Sequence, residues 1–264
     1  MNKRFRPEQQ ETALEFRDVT YTHKGSQSAI FQHVQADVKQ GEFVSLLGPS
    51  GSGKSTFFRL AAGLSHPEQG TVFLHNSVPE TRLGRVGYMP QQDLLLPWRT
   101  ILENGMLPLE INGVSKKEAA RKVSAHLKAF GLDGVENQYP HELSGGMRQR
   151  VSFLRAVVGG SDILMLDEPF SALDSITRFM MQEWLLEQWQ AAGQTLVFIT
   201  HDIEEALFLS DRILLFTQPP IEGRFTEITV PLPRPRKEND RDHPELLKLK
   251  RELINRMRGE GGII

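Results

Sequence analysis

The chain has no cysteine among its 264 residues, which excludes disulfides and thiolate metal sites. That suits a cytoplasmic protein without requiring one. No stretch reaches the ~18 uncharged apolar residues of a membrane-spanning helix, so work at a membrane would need another polypeptide to hold the chain there. The N-terminal run Met1-Asn2-Lys3-Arg4 is basic but lacks the apolar core of a secretion signal. An excess of one charge is also missing. Lys and Arg number 31 against 33 Asp and Glu, and the net charge of −2 gives no general attraction to nucleic acid or anionic membranes. There is no internal repeat and no low-complexity tract. What is present is ordinary: 39% apolar residues suffice for a core and 24% are charged. The length suits a single α/β domain with an added lobe or tail.

The organising stretch is Gly48-Pro49-Ser50-Gly51-Ser52-Gly53-Lys54-Ser55-Thr56, which fits the phosphate-loop pattern G-x-x-x-x-G-K-[ST]. An apolar run, Phe43 to Leu47, precedes it as a buried strand, and Phe57, Leu60 and Leu64 follow at helical spacing. Glycines let successive backbone N–H groups turn inward on anionic oxygens, and the helix beginning near Lys54 adds its positive dipole end. Lys54 would reach the β- and γ-phosphates and the Ser55 hydroxyl would hold Mg²⁺.

Residues 1–12 read as a loose polar N-terminus. Alternation at Leu14 and Phe16, and at Val34, Ala36 and Val38, predicts two half-buried strands. Short strands at 71–74 and 86–89 join them in an antiparallel group beside the nucleotide. From Ile101 to Val158 the pattern is helical, with a capping box at Ser115–Glu118 and a helix from about Met147, so a helical lobe over about 92–160 interrupts the domain. Ile163–Leu166, Leu196–Ile199 and Ile213–Phe216 lack alternation and predict parallel strands buried on both faces. The α/β domain spans 13–230. A Pro- and Arg-rich linker, Val230 to Arg236, then leads into a last helix opened by Pro244, within a tail of 231–264.

Asp167 and Glu168 end a buried strand about a hundred residues after the loop. Asp167 is suited to hold Mg²⁺ through water, and Glu168 to polarise an attacking water as general base. The bland alternative is a strand end with two solvated carboxylates. Leu143-Ser144-Gly145-Gly146 opens a further helix, a second N-terminus able to bind phosphate, or simply an N-cap serine in a tight turn. With that element between the loop and the Asp-Glu strand end, the chain resembles ABC-type ATPases from about Leu14 to Phe216.

The resemblance implies a P-loop NTPase core of the ABC type, with an N-terminal antiparallel β-subdomain and an inserted α-helical subdomain. It implies ATP hydrolysis by a homodimer, in which Ser144, Gly145 and Gly146 contact the γ-phosphate bound on the other copy. Gln91, with Gln92 beside it, matches the residue that touches the metal and attacking water, and counting back from Pro97-Trp98 favours Gln91. His201 matches the switch histidine at the γ-phosphate. Asp174, in Ser171-Ala172-Leu173-Asp174, matches the loop that crosses the dimer interface. The family stacks an aromatic ring on adenine; here the matching position is His23, with Tyr21 two residues earlier. Metal contacts would come from Ser55, Gln91 and Asp167.

Leu94-Leu95-Leu96-Pro97-Trp98-Arg99-Thr100 and Pro231-Leu232-Pro233-Arg234-Pro235-Arg236 are similar to stretches in importer subunits for nitrate, aliphatic sulfonates, taurine and thiamine-precursor pyrimidines, most of all the last. That similarity implies a bacterial importer subunit on the cytoplasmic face of the membrane. Its partners would be an integral permease and, through the permease, an extracytoplasmic solute-binding protein, with no nucleic acid. Trp98 and Leu94–Leu96 are candidates for the permease-facing surface or for lobe core. A soluble P-loop phosphotransferase or switch is the alternative from another class, and it predicts a monomer.

Overall fold

The computed structural model describes residues 11–171 and 173–260. The expectations for residues 1–10, for Ala172 and for 261–264 lie outside that range. The chain divides into two compact units, one of 1–85 with 186–264 and one of 86–185.

The first unit contains two sheets. In one, β1 (Thr12–Thr22) pairs antiparallel with β2 (Ala29–Lys39) and with β4 (Gln69–Leu74), and β9 (Ile221–Arg224) adds in parallel beside β2. In the other, β3 (Phe43–Leu47) lies between β7 (Thr195–Thr200) and β8 (Arg212–Leu215), parallel to both, and β10 (Thr226–Thr229) closes the β8 edge antiparallel. Every residue of β3 and β7 is buried, which is why neither shows alternation in sequence.

Helix α1 (Lys54–Ala61) bridges the two sheets through phenylalanine. Phe57 stacks on Phe16 of β1 with centroids 4.0 Å apart, and meets Phe216, just beyond β8, edge-on at 6.0 Å. Phe carries no polar handle, so these rings fill the core without needing a buried hydrogen-bond partner, each contributing about 2 kcal/mol by burial. α1 stops at Ala61 and Gly63 turns away with φ 77°, so Leu64, expected on the buried face, stands 49% exposed. Helices α6 (Ile203–Leu209) and α7 (Pro244–Glu260) complete the unit, with Leu246 and Leu253 in one cluster with Ala206 and Leu207. β9 and β10 were not legible as strands: their four-residue runs bury one side chain each and carry no pattern.

The second unit holds β5 (Gly87–Met89) and β6 (Ile163–Asp167), with α2 (Ile101–Ile111), α3 (Lys116–Leu127) and α4 (Gly145–Val158). α5 (Ser175–Ala192) begins there. β5 pairs in parallel with β6, correcting its expected place among antiparallel N-terminal strands. A three-residue strand has no periodicity to reveal its partner, and this partner lies over seventy residues downstream in sequence. Gly87 allows the approach: a Cβ there would stand 2.5 Å from the Ala156 carbonyl oxygen of α4. Ser115 accepts the Glu118 amide as expected, while the fully reciprocal capping box forms at Thr100 and Glu103. Phe130 lies past the end of α3 but is buried against Phe153 and Trp184.

One charged cluster in the first unit is internal. Arg212 donates to both oxygens of Glu42 (2.7 and 2.9 Å), to Glu227 (2.8 Å) and to the Asp37 carbonyl (2.6 Å), and its side chain is 13% exposed against 6% for Glu42. Removing one partner of such a pair leaves the other buried and uncompensated. Arg212→Ala is expected to lower unfolding free energy by about 3 kcal/mol, read from the urea midpoint. The exposed pair Arg121–Glu118 should show no measurable loss on Arg121→Ala. Equal effects of the two substitutions would contradict this account.

Candidate functional site

The loop from Gly48 to Gly53 leaves the carboxyl end of β3 and enters α1 with a left-handed Gly53 (φ 98°) at the N-cap position and no side-chain cap. The first amide groups of the helix are therefore presented to whatever occupies the loop. Gly51 also has positive φ (82°), and a Cβ on it would meet nothing within 4 Å, so its face of the loop is open. Gly48 is the reverse. A Cβ there would lie 2.3 Å from the Phe216 carbonyl oxygen, so only glycine passes between β3 and the end of β8. Lys54 is 6% exposed and curls back over the loop, donating from Nζ to the Gly48 and Pro49 carbonyls at 2.8 and 2.7 Å and to Ser52 Oγ at 3.4 Å. Ser50 and Ser55 are exposed, Pro49 half-buried, and Ser52 and Thr56 buried.

Two further residues of this unit meet the loop. Leu47 and Thr200 are register partners in parallel strands, so Gly48 and His201 leave adjacent strand ends side by side. That is the carboxyl edge where open α/β sheets bind ligands. His201 is exposed. His23 is exposed as well, its Nε2 3.1 Å from Thr56 Oγ1, and the half-buried Tyr21 ring meets it edge-on at 5.2 Å. The tie to Thr56 fixes the imidazole beside the first turn of α1.

In the second unit the same edge logic operates. Met89 and Leu166 are register partners, so Gln91 and Asp167-Glu168 leave neighbouring strand ends together. Gln91 Nε2 donates to Glu168 Oε2 at 2.9 Å, which orients the carboxylate. Gln92 is exposed. Asp167 is 6% exposed at the last position of β6. Glu168 has positive φ (46°), a conformation a glutamate adopts at a cost and one that recurs at functional positions.

Ser144 caps α4 by accepting the Met147 amide at 3.3 Å, with Gly145 and Gly146 in the first turn. A Cβ on Gly146 would stand 3.4 Å from Thr177 and 3.5 Å from Leu173, so this N-terminus packs against the 173–177 turn. Asp174 is engaged there as an N-cap. Its carboxylate accepts from Thr177 Oγ1 (2.6 Å) and from the amides of Thr177 and Ile176, and these bonds, Thr177's first, hold its pKa below the ordinary value.

Residues not picked out from sequence tie the Gln91 segment to α4. Arg155 donates to the carbonyls of Asp93 (2.6 Å) and Leu94 (2.8 Å), and Arg148 to the Asp93 carboxylate (3.1 Å). The two arginines stand seven residues apart, hence on one helix face, a stripe visible once α4 is located. Fully buried Asn104 takes the Leu96 amide and donates to three carbonyls of the same stretch. Beyond this braced backbone Trp98 is 71% and Leu94 57% exposed, while Leu95 is buried.

Residues 31–171 match the protein family described as ABC transporter. The chain belongs to that family. It is an ATP-binding, ATP-hydrolysing subunit of an ABC importer. It is 50% identical over 218 residues to the formylaminopyrimidine import ATP-binding protein ThiZ of Halalkalibacterium halodurans, covering 83% of this chain and 84% of that one. To an aliphatic sulfonates import ATP-binding protein, SsuB 1 of Rhodococcus jostii, it is 40% identical over 233 residues, or 88% and 89% of the two chains. Among solved structures it superposes on the dimeric post-hydrolysis ATP-binding cassette MJ0796 bound to ADP and Pi, with a TM-score of 0.71 and 32% identity over 82% of this chain and 98% of that one. The ABC ATPase fold expected from sequence is borne out.

Gly48→Ala forces the loop off the end of β8 and is expected to lower stability by about 2 kcal/mol. ATP affinity, followed by titration with a fluorescent analogue, should fall about tenfold, equivalent to ~1.4 kcal/mol. Wild-type affinity in the folded variant would contradict the reading of the loop.

Proposed function

We propose that two copies of this ATPase close head to tail on two ATP molecules, and that hydrolysis reopens them to drive uptake through a separate permease. The observation that carries this is the N-terminus of α4. Ser144 Oγ accepts the Met147 amide, which leaves its O–H as the donor a γ-phosphate oxygen would take, with the Gly145 and Gly146 amides beside it. A second helix N-terminus suited to phosphate, in addition to that of α1, fits a triphosphate shared between copies, and the similarity to a dimeric cassette bound to ADP and Pi supports a dimer.

In this reading Gly48–Thr56 hold the phosphates of one ATP. Lys54 swings from the loop carbonyls to the β- and γ-oxygens, and His201 approaches the γ-phosphate from the next strand end. Glu168, oriented by Gln91, takes the proton of the attacking water. His23, tethered to Thr56 with Tyr21 braced behind it, offers the exposed face for adenine. Mg²⁺, when bound, would neutralise charge developing on the phosphates, held by Ser55, Gln91 and Asp167. Ser55, Gln91 and Asp167 offer hydroxyl, amide and carboxylate oxygens, the hard donors Mg²⁺ takes. Asp174 orders the turn beside Gly146 that would face the partner copy.

The segment of about 92–160 is proposed as the lobe that meets the permease, with exposed Trp98 and Leu94 as its docking residues. No helix among the described residues is long and apolar enough to cross a membrane, and the peripheral place on the cytoplasmic face follows from the importer reading. A solute-binding protein would act through the permease. The cargo we favour is a thiamine-precursor pyrimidine, supported by the 50% identical relative, with sulfonate, taurine or nitrate as the alternative.

Glu168→Gln is expected to hold ATP while hydrolysing it on the order of 10²-fold more slowly. In sedimentation, that variant should double its mass when ATP is added. A monomer with ATP bound would contradict the shared site, and unchanged turnover would remove Glu168 as the base.

A further inference from the structure

The 231–236 segment has no regular structure, yet it is hydrogen-bonded far beyond the needs of a linker. Arg236 is 5% exposed. Its Nη1 donates to the carbonyls of Leu207 (3.1 Å), Phe208 (3.1 Å) and Ser210 (2.6 Å), and its Nη2 and Nε to that of Leu232 (3.0 and 3.3 Å). Leu207 and Phe208 lie in the last turn of α6 and Ser210 is its C-cap. These are carbonyls a helix leaves without intrahelical partners, and a cation there faces the negative end of the helix dipole. Arg234 takes the Leu209 carbonyl between them, pairs with Asp211 at 2.9 Å and lies 4.6 Å over the Trp189 ring. Burial first, then the Arg234 cation, lower the Arg236 pKa to about 9, so it stays charged at neutral pH. α7 adds an apolar face on α6 and the Lys250–Glu204 ion pair.

The opposite end of α6 is pinned as firmly. Asp202 caps it by accepting the amides of Glu204 (2.8 Å) and Glu205 (3.2 Å). Thr200 Oγ1 donates to the buried Glu205 carboxylate at 2.7 Å and accepts the Asp202 amide at 2.9 Å. His201 is the residue between these two fixed neighbours. With seven residues, α6 is a rod only about 10 Å long, so a shift at its carboxyl end reaches His201 undamped.

We propose that Arg236 is a positioning residue for His201: the C-terminal arm holds the carboxyl end of α6 and so sets the imidazole at the β7–α6 junction. The inference rests on the proposed role of His201 at the γ-phosphate. It assigns the Pro/Arg segment a part in hydrolysis, while ATP binding stays with the phosphate loop.

The test is the steady-state ATPase of the full chain in Arg236→Ala, Arg236→Lys, His201→Ala and the Arg236→Ala/His201→Ala double variant. Arg236→Ala should lower kcat about tenfold with KM for ATP changed less than about twofold, because only the hydrolytic geometry is disturbed. Arg236→Lys, which keeps the charge but loses the fork, should recover to within about threefold of wild type. On the His201→Ala background Arg236→Ala should cost nothing further. Wild-type kcat in folded Arg236→Ala, or an equal loss with and without His201, would overturn the proposal. If Arg236→Ala does not fold, Arg236→Gln, which removes the charge while keeping most of the side chain, carries the test with the same expected loss of kcat, and wild-type kcat in it would overturn the proposal. Unchanged kcat in His201→Ala would instead defeat the reading of His201 itself, and the clamp's catalytic role with it.

Discussion

The rest of the structure depends on a helix that starts without a cap. Most α-helices satisfy their first amides with a serine, threonine or aspartate side chain. α1 has a left-handed glycine there and no side-chain acceptor, whereas α3, α4 and α6 in the same chain are capped by Ser115, Ser144 and Asp202. A dipole-focused N-terminus with no side-chain cap, at the end of a fully buried parallel strand, favours an anion that completes it. The Phe57–Phe16 stack and the close passage of Gly48 by Phe216 fix both ends of the loop, at β3 and at α1.

Both units use the same device to bring reactive groups together. Parallel strands in register end together, so the residues just beyond them become neighbours although distant in sequence. β3 and β7 deliver Gly48 and His201; β5 and β6 deliver Gln91 and Glu168. Arg148 and Arg155 then tie the backbone after Gln91 to α4, whose first turn carries Ser144 and the glycines, and Asn104 braces the 96–100 stretch that follows. A change at Gln91 therefore has a direct mechanical route to the start of α4 within one unit. Arg236 gives α6 a comparable brace in the other.

Much of this was legible in the chain because local chemistry dictated it. The phosphate loop, the Ser144 cap and the buried runs ending in Leu47, Asp167 and Thr200 are each written in consecutive residues. Pairing was not: β5 is too short to show its parallel partner, and β9 and β10 carry no period. The Pro/Arg segment was read from its prolines as a stiff linker, which is right for the backbone. It hid the arginines, because a buried guanidinium satisfied by carbonyls looks in sequence like a solvated one. Relatives named for two different cargoes are similar to this chain at 50% and 40% identity, so overall similarity does not single out a cargo.

The central claim is that one copy holds half of each hydrolytic site. It is tested most directly by mixing two inactive proteins, Lys54→Ala and Ser144→Arg, and measuring ATP hydrolysis. A head-to-tail pair formed from one of each has one fully intact site, built from the phosphate loop of the Ser144→Arg copy and the α4 N-terminus of the Lys54→Ala copy. The mixture is predicted to hydrolyse ATP well above either protein alone. A mixture no more active than its components would show that each copy completes its own site, and would contradict the account.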